Sequence, residues 1–119
     1  MIPVAKPFVG EEELEEVRKV FQSGWLGMGA WVKQFEDQLK NFIGTKYVIA
    51  TNTGTSAIHL ALVSCGIKSG DEVIVPSLTF AATIQAIVAT GADVVFCDLQ
   101  PDTLNIDPKD IKKRITSKT

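Results

Sequence analysis

Apolar positions follow a helical rhythm in the first third of the chain and a strand–helix rhythm after it. Residues 1–10 hold Pro3, Pro7 and Gly10 among apolar side chains, which suits an extended arm. Behind the acids Glu11, Glu12 and Glu13, residues Leu14, Val17, Val20 and Phe21 recur at helical spacing until Gly24 stops the run. After the stretch Gly24-Trp25-Leu26-Gly27-Met28-Gly29, a second amphipathic helix carries Trp31, Val32, Phe35, Leu39, Phe42 and Ile43 on one stripe, with Gly44 as its stop.

From residue 45 onward the grammar is β/α. Tyr47-Val48-Ile49-Ala50 has no polar alternation, as expected of a strand covered on both faces. Thr51-Asn52-Thr53-Gly54 is turn chemistry, and Ser56 to Val63 is a helix apolar nearly all round. A return loop with Gly66 and Ser69-Gly70-Asp71 leads into the strand Glu72-Val73-Ile74-Val75-Pro76. A helix from about Ala81 to Thr90 ends at Gly91, and Asp93 to Asp98 is a third strand. Asp107-Pro108 supplies an N-cap and a first-position proline for a last helix through Arg114.

Short helical connections make the crossovers right-handed and predict that Tyr47–Thr51, Glu72–Val75 and Val94–Cys97 lie parallel in one sheet. Such a sheet leaves open edges and apolar faces that few helices can cover. Ile115 to Thr119 stop where the rhythm asks for another strand. The expectation is the front part of a larger α/β domain: an arm and two helices over residues 1–44, and an incomplete α/β unit over 45–119. Uncovered apolar surface also predicts that chains associate, with the arm and the Gly24–Gly29 loop as the mobile parts.

Composition narrows the class. The 119 residues are 45% hydrophobic and 22% charged, with a net charge of −2, which is too apolar for a disordered tail. No dense basic block argues for nucleic acid, and Lys112-Lys113-Arg114 reads as a solvated helix face. No run approaches the roughly 20 apolar residues of a membrane span, and Pro3, Lys6 and the acids at 11–13 spoil a signal peptide, so the cytoplasm is expected. Cys65 and Cys97, with neither a Cys-x-x-Cys nor a nearby histidine, read as small buried hydrophobes rather than a disulfide or a metal site.

In open parallel sheets, ligands bind beyond the carboxyl ends of the strands. Three segments fall there: Thr51–Ser56, Pro76–Phe80 and Asp98–Asn105. In the first, Gly54 lets backbone approach an anion, and the amides and hydroxyls of Thr55 and Ser56 open a helix whose dipole favours negative charge. That describes a phosphate cradle. It equally describes Thr53 as a simple N-cap and Gly54 as a turn residue, and the residues alone leave both open. No Gly-Lys-Ser/Thr follows and no Gly-x-Gly-x-x-Gly is present, which excludes a P-loop and a dinucleotide fingerprint. Phe80, just past a strand end, is placed to stack on a flat ring, although such an aromatic is more often packing. His59 reads as a core or surface histidine rather than a catalyst; Asp98 as a strand-end acid; Asp107 as a cap. With Asp102 they make no carboxylate pair.

Taken in order, Ser23-Gly24-Trp25-Leu26-Gly27-Met28-Gly29, Phe35-Glu36, Ala50-Thr51-Asn52-Thr53-Gly54-Thr55-Ser56-Ala57, Gly70-Asp71-Glu72-Val73-Ile74-Val75-Pro76-Ser77, Thr79-Phe80 with Ala82-Thr83, and Gly91-Ala92 resemble the DegT/DnrJ/EryC1/StrS family. The likeness runs from Pro3 to the last residue without a visible gap. It implies part of the large domain of the aspartate-aminotransferase fold (fold type I) and an enzyme that uses pyridoxal 5'-phosphate. That enzyme would move an amino group, usually from glutamate, to a keto sugar linked to a nucleotide. A homodimer in polysaccharide biosynthesis is the matching context. By the same resemblance Gly54, Thr55 and Ser56 hold the cofactor phosphate, Phe80 lies against the pyridine ring, and Trp25 and Leu26 stand near the substrate entrance and subunit interface. The family's Schiff-base lysine and pyridine-nitrogen aspartate come later than position 119, and none of the ten lysines here matches, so the chain alone is expected to be inactive. Some relatives carry histidine in place of that lysine and dehydrate the sugar. A non-enzymatic binding or oligomerisation module is the reading from a different class.

Overall fold

Acidic first turns, apolar stripes and glycine stops form helices where the pattern asks for them. The computed structural model describes residues 5–119, and the chain divides between Ala50 and Thr51 into two units. Of the arm, residues 1–4 lie outside the described residues, and residues 5–10 enter no helix or strand.

In the first unit, α1 spans Glu11–Ser23 and α2 spans Ala30–Ile43. The Glu13 carboxylate accepts the Gly10 amide at 2.7 Å, satisfying one orphan donor at the helix start, and that bond lowers the Glu13 pKa. Both helices end on a glycine in the left-handed region, Gly24 at φ 69° and Gly44 at φ 76°, a conformation that a β-carbon would strain. Neither helix buries a residue, and Val17, Phe21, Phe35 and Phe42 remain exposed.

The strand expected at Tyr47–Thr51 is not formed among the described residues; the chain there is irregular and Tyr47 and Ile49 are exposed. A strand exists only through a ladder partner, and this apolar run has none among the described residues. The Ala50 amide instead donates to the Glu36 carboxylate of α2 at 2.8 Å.

In the second unit, α3 (Gly54–Ser64) is followed by β1 (Glu72–Pro76), α4 (Ala81–Val88), β2 (Asp93–Cys97) and α5 (Pro108–Arg114). β1 and β2 pair in parallel with Glu72 opposite Asp93 and Pro76 opposite Cys97, as the crossover predicts. α4 packs on both strands and on α3, while α5 packs on β2. The core is Val75, Ile87 and Ala92, with Leu62, Ile67, Val73 and Val94 around it. Cys97 is buried as expected. Cys65 is not: it caps the last turn of α3 just before the left-handed Gly66, on a helix whose outer side chains Leu60 and Val63 are uncovered.

One buried charge ties this unit together. Asp110, 6% exposed, accepts the Asp98 amide at 2.9 Å and the Arg114 Nε–H, so it joins the end of β2 to α5. Arg114 therefore does not belong to a solvated face, as the basic run suggested. The Asp98 amide and then the guanidinium hold the Asp110 carboxyl at about 2, and burial pushes the neighbouring Cys97 thiol up. The stability this carboxylate contributes is complete above its ordinary value of 3.8 and disappears as pH falls towards 2. Asp110→Asn should lower the urea midpoint at neutral pH and flatten its fall over that acid window, measured by circular dichroism. An unchanged acid profile would remove Asp110 from this role.

Candidate functional site

Parallel pairing sends the carboxyl ends of β1 and β2 to one edge. α4 starts within a few residues of the end of β1 and runs back to the start of β2, so its N-terminus lies at that edge. α3 packs on α4 and also returns to the start of a strand, which turns its N-terminus the same way.

At the α3 start, Thr53 is the N-cap. Its Oγ1 accepts the Ser56 amide at 3.0 Å and donates its own hydrogen to the Ser56 Oγ at 3.0 Å. The Thr51 hydroxyl braces the turn by donating to the Thr53 carbonyl at 3.0 Å. The Ser56 amide, expected to face outward, is thus already used. The Gly54 and Thr55 amides have no acceptor among the described residues. Because the Ser56 oxygen accepts from Thr53, its own hydrogen is left to give. A β-carbon on Gly54 would meet nothing within 4 Å, so the space beside Gly54 is open. Two amides, the Thr55 hydroxyl and the Ser56 hydroxyl at the positive end of a helix have the donor chemistry that suits an anion such as phosphate. The N-cap is therefore formed, and the same turn leaves donors free among the described residues, so neither sequence reading excludes the other.

Phe80 is the N-cap residue of α4, with its ring 81% exposed and its carbonyl accepting the Thr83 amide. The Thr79 and Thr83 hydroxyls share a hydrogen bond at 3.0 Å that fixes the turn around it. Packing among the described residues does not cover Phe80. Trp25 and Leu26 lie in the first unit on the glycine-rich loop, both exposed, and the Trp25 indole N–H donates to the Met28 carbonyl at 2.9 Å. His59 is half-buried within α3. Asp107 caps α5 by accepting the Lys109 amide, and the Asp98 backbone is held between Asp107 and Asp110. Sequence reasoning overlooked Thr53 as a grip on Ser56 and Asp110 as a buried anchor. The i,i+4 spacing of Asp110 and Arg114 was the available signal for the second.

Thr53→Ala should destabilise the chain by about 1 kcal/mol through loss of the cap. Phe80→Ala should leave stability within about 0.5 kcal/mol of the parent, since the ring covers no core. Urea unfolding of both variants checks the pair, and a large loss for Phe80→Ala would return that ring to packing.

Residues 7–119 match the model of the DegT/DnrJ/EryC1/StrS aminotransferase family. The spore coat polysaccharide biosynthesis protein SpsC of Bacillus subtilis is 44% identical over 118 residues, which is 99% of this chain and 30% of SpsC. Among solved structures, the aminotransferase TlmJ from Streptoalloteichus hindustanus superposes with a TM-score of 0.92 at 39% identity, covering 100% of this chain and 33% of TlmJ. The E. coli GDP-4-keto-6-deoxy-D-mannose-3-dehydratase, solved with bound hydrated PLP, gives a TM-score of 0.89 at 31% identity over 98% of this chain and 32% of its own. The chain thus spans about a third or less of the length of these relatives and has the fold of part of their domain. On the extent of the family match and the likeness of the folds, this chain belongs to the DegT/DnrJ/EryC1/StrS aminotransferase family.

Proposed function

We propose that this chain is the N-terminal part of the large domain of a pyridoxal-phosphate-dependent aminotransferase that acts on a nucleotide-linked keto sugar. Glutamate is the amino donor, and the whole enzyme is a cytoplasmic homodimer. Residues 1–44 form the arm and its two helices, and 45–119 the first part of the cofactor-binding domain. The observation that carries the reading is the α3 start: amides of Gly54 and Thr55 without acceptors, beside hydroxyls and open space, within the span that matches the family.

In this reading Gly54, Thr55 and Ser56 bind the cofactor phosphate, with Thr53 holding Ser56 so that its hydroxyl hydrogen points to the anion. Phe80 supplies a flat apolar face that orients the pyridine ring and excludes water from one side. Trp25 and Leu26 border the substrate entrance and the subunit interface. The bound cofactor supplies the electron sink that amino transfer needs. The segment anchors and orients; amine and proton chemistry belong to a lysine that none of its ten lysines matches, so the chain alone is inactive. The likeness to the E. coli dehydratase favours a second reading, a sugar dehydratase of the same family, in which histidine stands at that lysine position.

Inorganic phosphate titrated into this chain should shift the amide resonances of Gly54, Thr55 and Ser56 with weak affinity. Pyridoxal phosphate followed by borohydride should label no single lysine. In a polypeptide of the relatives' length that carries this segment, Thr55→Ala and Ser56→Ala should each weaken cofactor retention about tenfold or more, the effect of losing a charge-assisted bond worth about 1.5–3 kcal/mol. Retention equal to the parent in both variants overturns the assignment.

A further inference from the structure

The glycine-rich loop is folded onto its own tryptophan. Beyond the indole bond to the Met28 carbonyl, a β-carbon built on Gly29 would lie 2.8 Å from the Trp25 Cδ1 and 2.9 Å from its Nε1, and one on Gly27 would lie 3.6 Å from that nitrogen. The ring therefore occupies the space where a side chain at position 29 would stand. Backbone conformation does not demand glycine at Gly29, since φ is −166°, in the extended region open to any residue. What demands it is the ring. On the other side, the Trp25 amide donates to the Ser23 hydroxyl at 3.2 Å, and that hydroxyl donates to the Val20 carbonyl at 2.6 Å, which secures the base of the loop to the last turn of α1. The turn at Gly24, with φ 69°, sets the direction in which the indole returns.

We propose that the Trp25 indole is a latch that holds Gly24–Gly29 in one folded-back form, so that Leu26 and Met28 are displayed from a fixed backbone and not from a mobile loop. Both side chains are 70% exposed, so the latch buries neither and leaves both for contact. Opening the loop requires breaking the indole bond to Met28 and lifting the ring from Gly27 and Gly29 in one motion, because both contacts belong to the same rigid side chain. A surface that is ordered beforehand binds without the entropy loss of ordering it later. The latch needs no cofactor or substrate and stands independently of the proposed reaction.

Indole hydrogen exchange followed by NMR tests this on the unmodified chain. Trp25 is 63% exposed and Trp31 only 37%, so exposure alone makes the Trp25 indole N–H the faster to exchange. The latch reverses the order: Trp25 Nε1–H should exchange on the order of tenfold more slowly than Trp31 Nε1–H, which has no acceptor among the described residues. The signal lost in Trp25→Phe assigns the resonance. Gly29→Ala should abolish the protection and speed protease cleavage between Gly24 and Met28. Gly10→Ala, also at an extended helix cap but 3.7 Å from its only close neighbour, should change neither. Trp25 exchanging as fast as Trp31 overturns the proposal, and so does protection that survives Gly29→Ala.

Discussion

Parallel pairing of Glu72–Pro76 with Asp93–Cys97 is the constraint from which the second unit follows. Strands that run the same way need a crossover, and the crossover here is α4, whose Ala86 and Ile87 are buried and whose Ile87 joins Val75 and Ala92 in the core. The same pairing decides where chemistry can sit. It brings the carboxyl ends of both strands to one edge, and the chain must leave each end through polar turns before a helix can start. Helix starts carry unsatisfied amides, so the edge that topology makes polar is also the edge that attracts anions.

Much of this was legible because it is local. Gly24 and Gly44 end helices by taking the left-handed conformation, and Asp107-Pro108 opens α5 with a cap and a preset φ. Those signals lie within a few residues of the element they shape. The Tyr47–Thr51 strand failed for the opposite reason. Its apolar side chains satisfy a strand pattern, yet its backbone needs a neighbour that no local signal provides, and Glu36 takes the Ala50 amide. Asp110 escaped because its partner, the Asp98 amide, stands beyond an intervening loop, bridged at Leu99 and Ile106, that no sequence period predicts. Cys65 shows a further gap. An apolar run predicts burial only if something covers it, and α3 is covered on the side that meets α4.

The candidate site separates likewise into what is local and what is not. The turn at Thr53–Ser56 needs one strand-like entry, one glycine and one helix start, all within a handful of residues, and its hydroxyl chain is complete in this chain. Thr53 does two jobs with one oxygen. By accepting the Ser56 amide it takes one donor out of the turn, and by donating to the Ser56 oxygen it leaves the hydrogen of that hydroxyl to give. The helix start is thereby stabilised at the cost of one donor, while the Gly54 and Thr55 amides and the Thr55 and Ser56 hydroxyl hydrogens stay free among the described residues.

Anchoring and chemistry also make different demands on the polypeptide. A phosphate is held by amides and hydroxyls whose directions the backbone fixes, so the first part of a fold can supply them early in the chain. Amino transfer needs an amine placed against the reacting carbon, and a charge placed against the far side of the ring. Those groups must approach a flat cofactor from directions that one helix edge cannot reach at once. On the proposed reading, a ring lying on Phe80 with its phosphate at the α3 start would still present its other face and its far edge. Elements outside this sheet edge have to close on them. In the proposed function, the exposed Phe80 ring and the acceptor-free Gly54 and Thr55 amides would be two parts of one platform that leaves the reacting groups room.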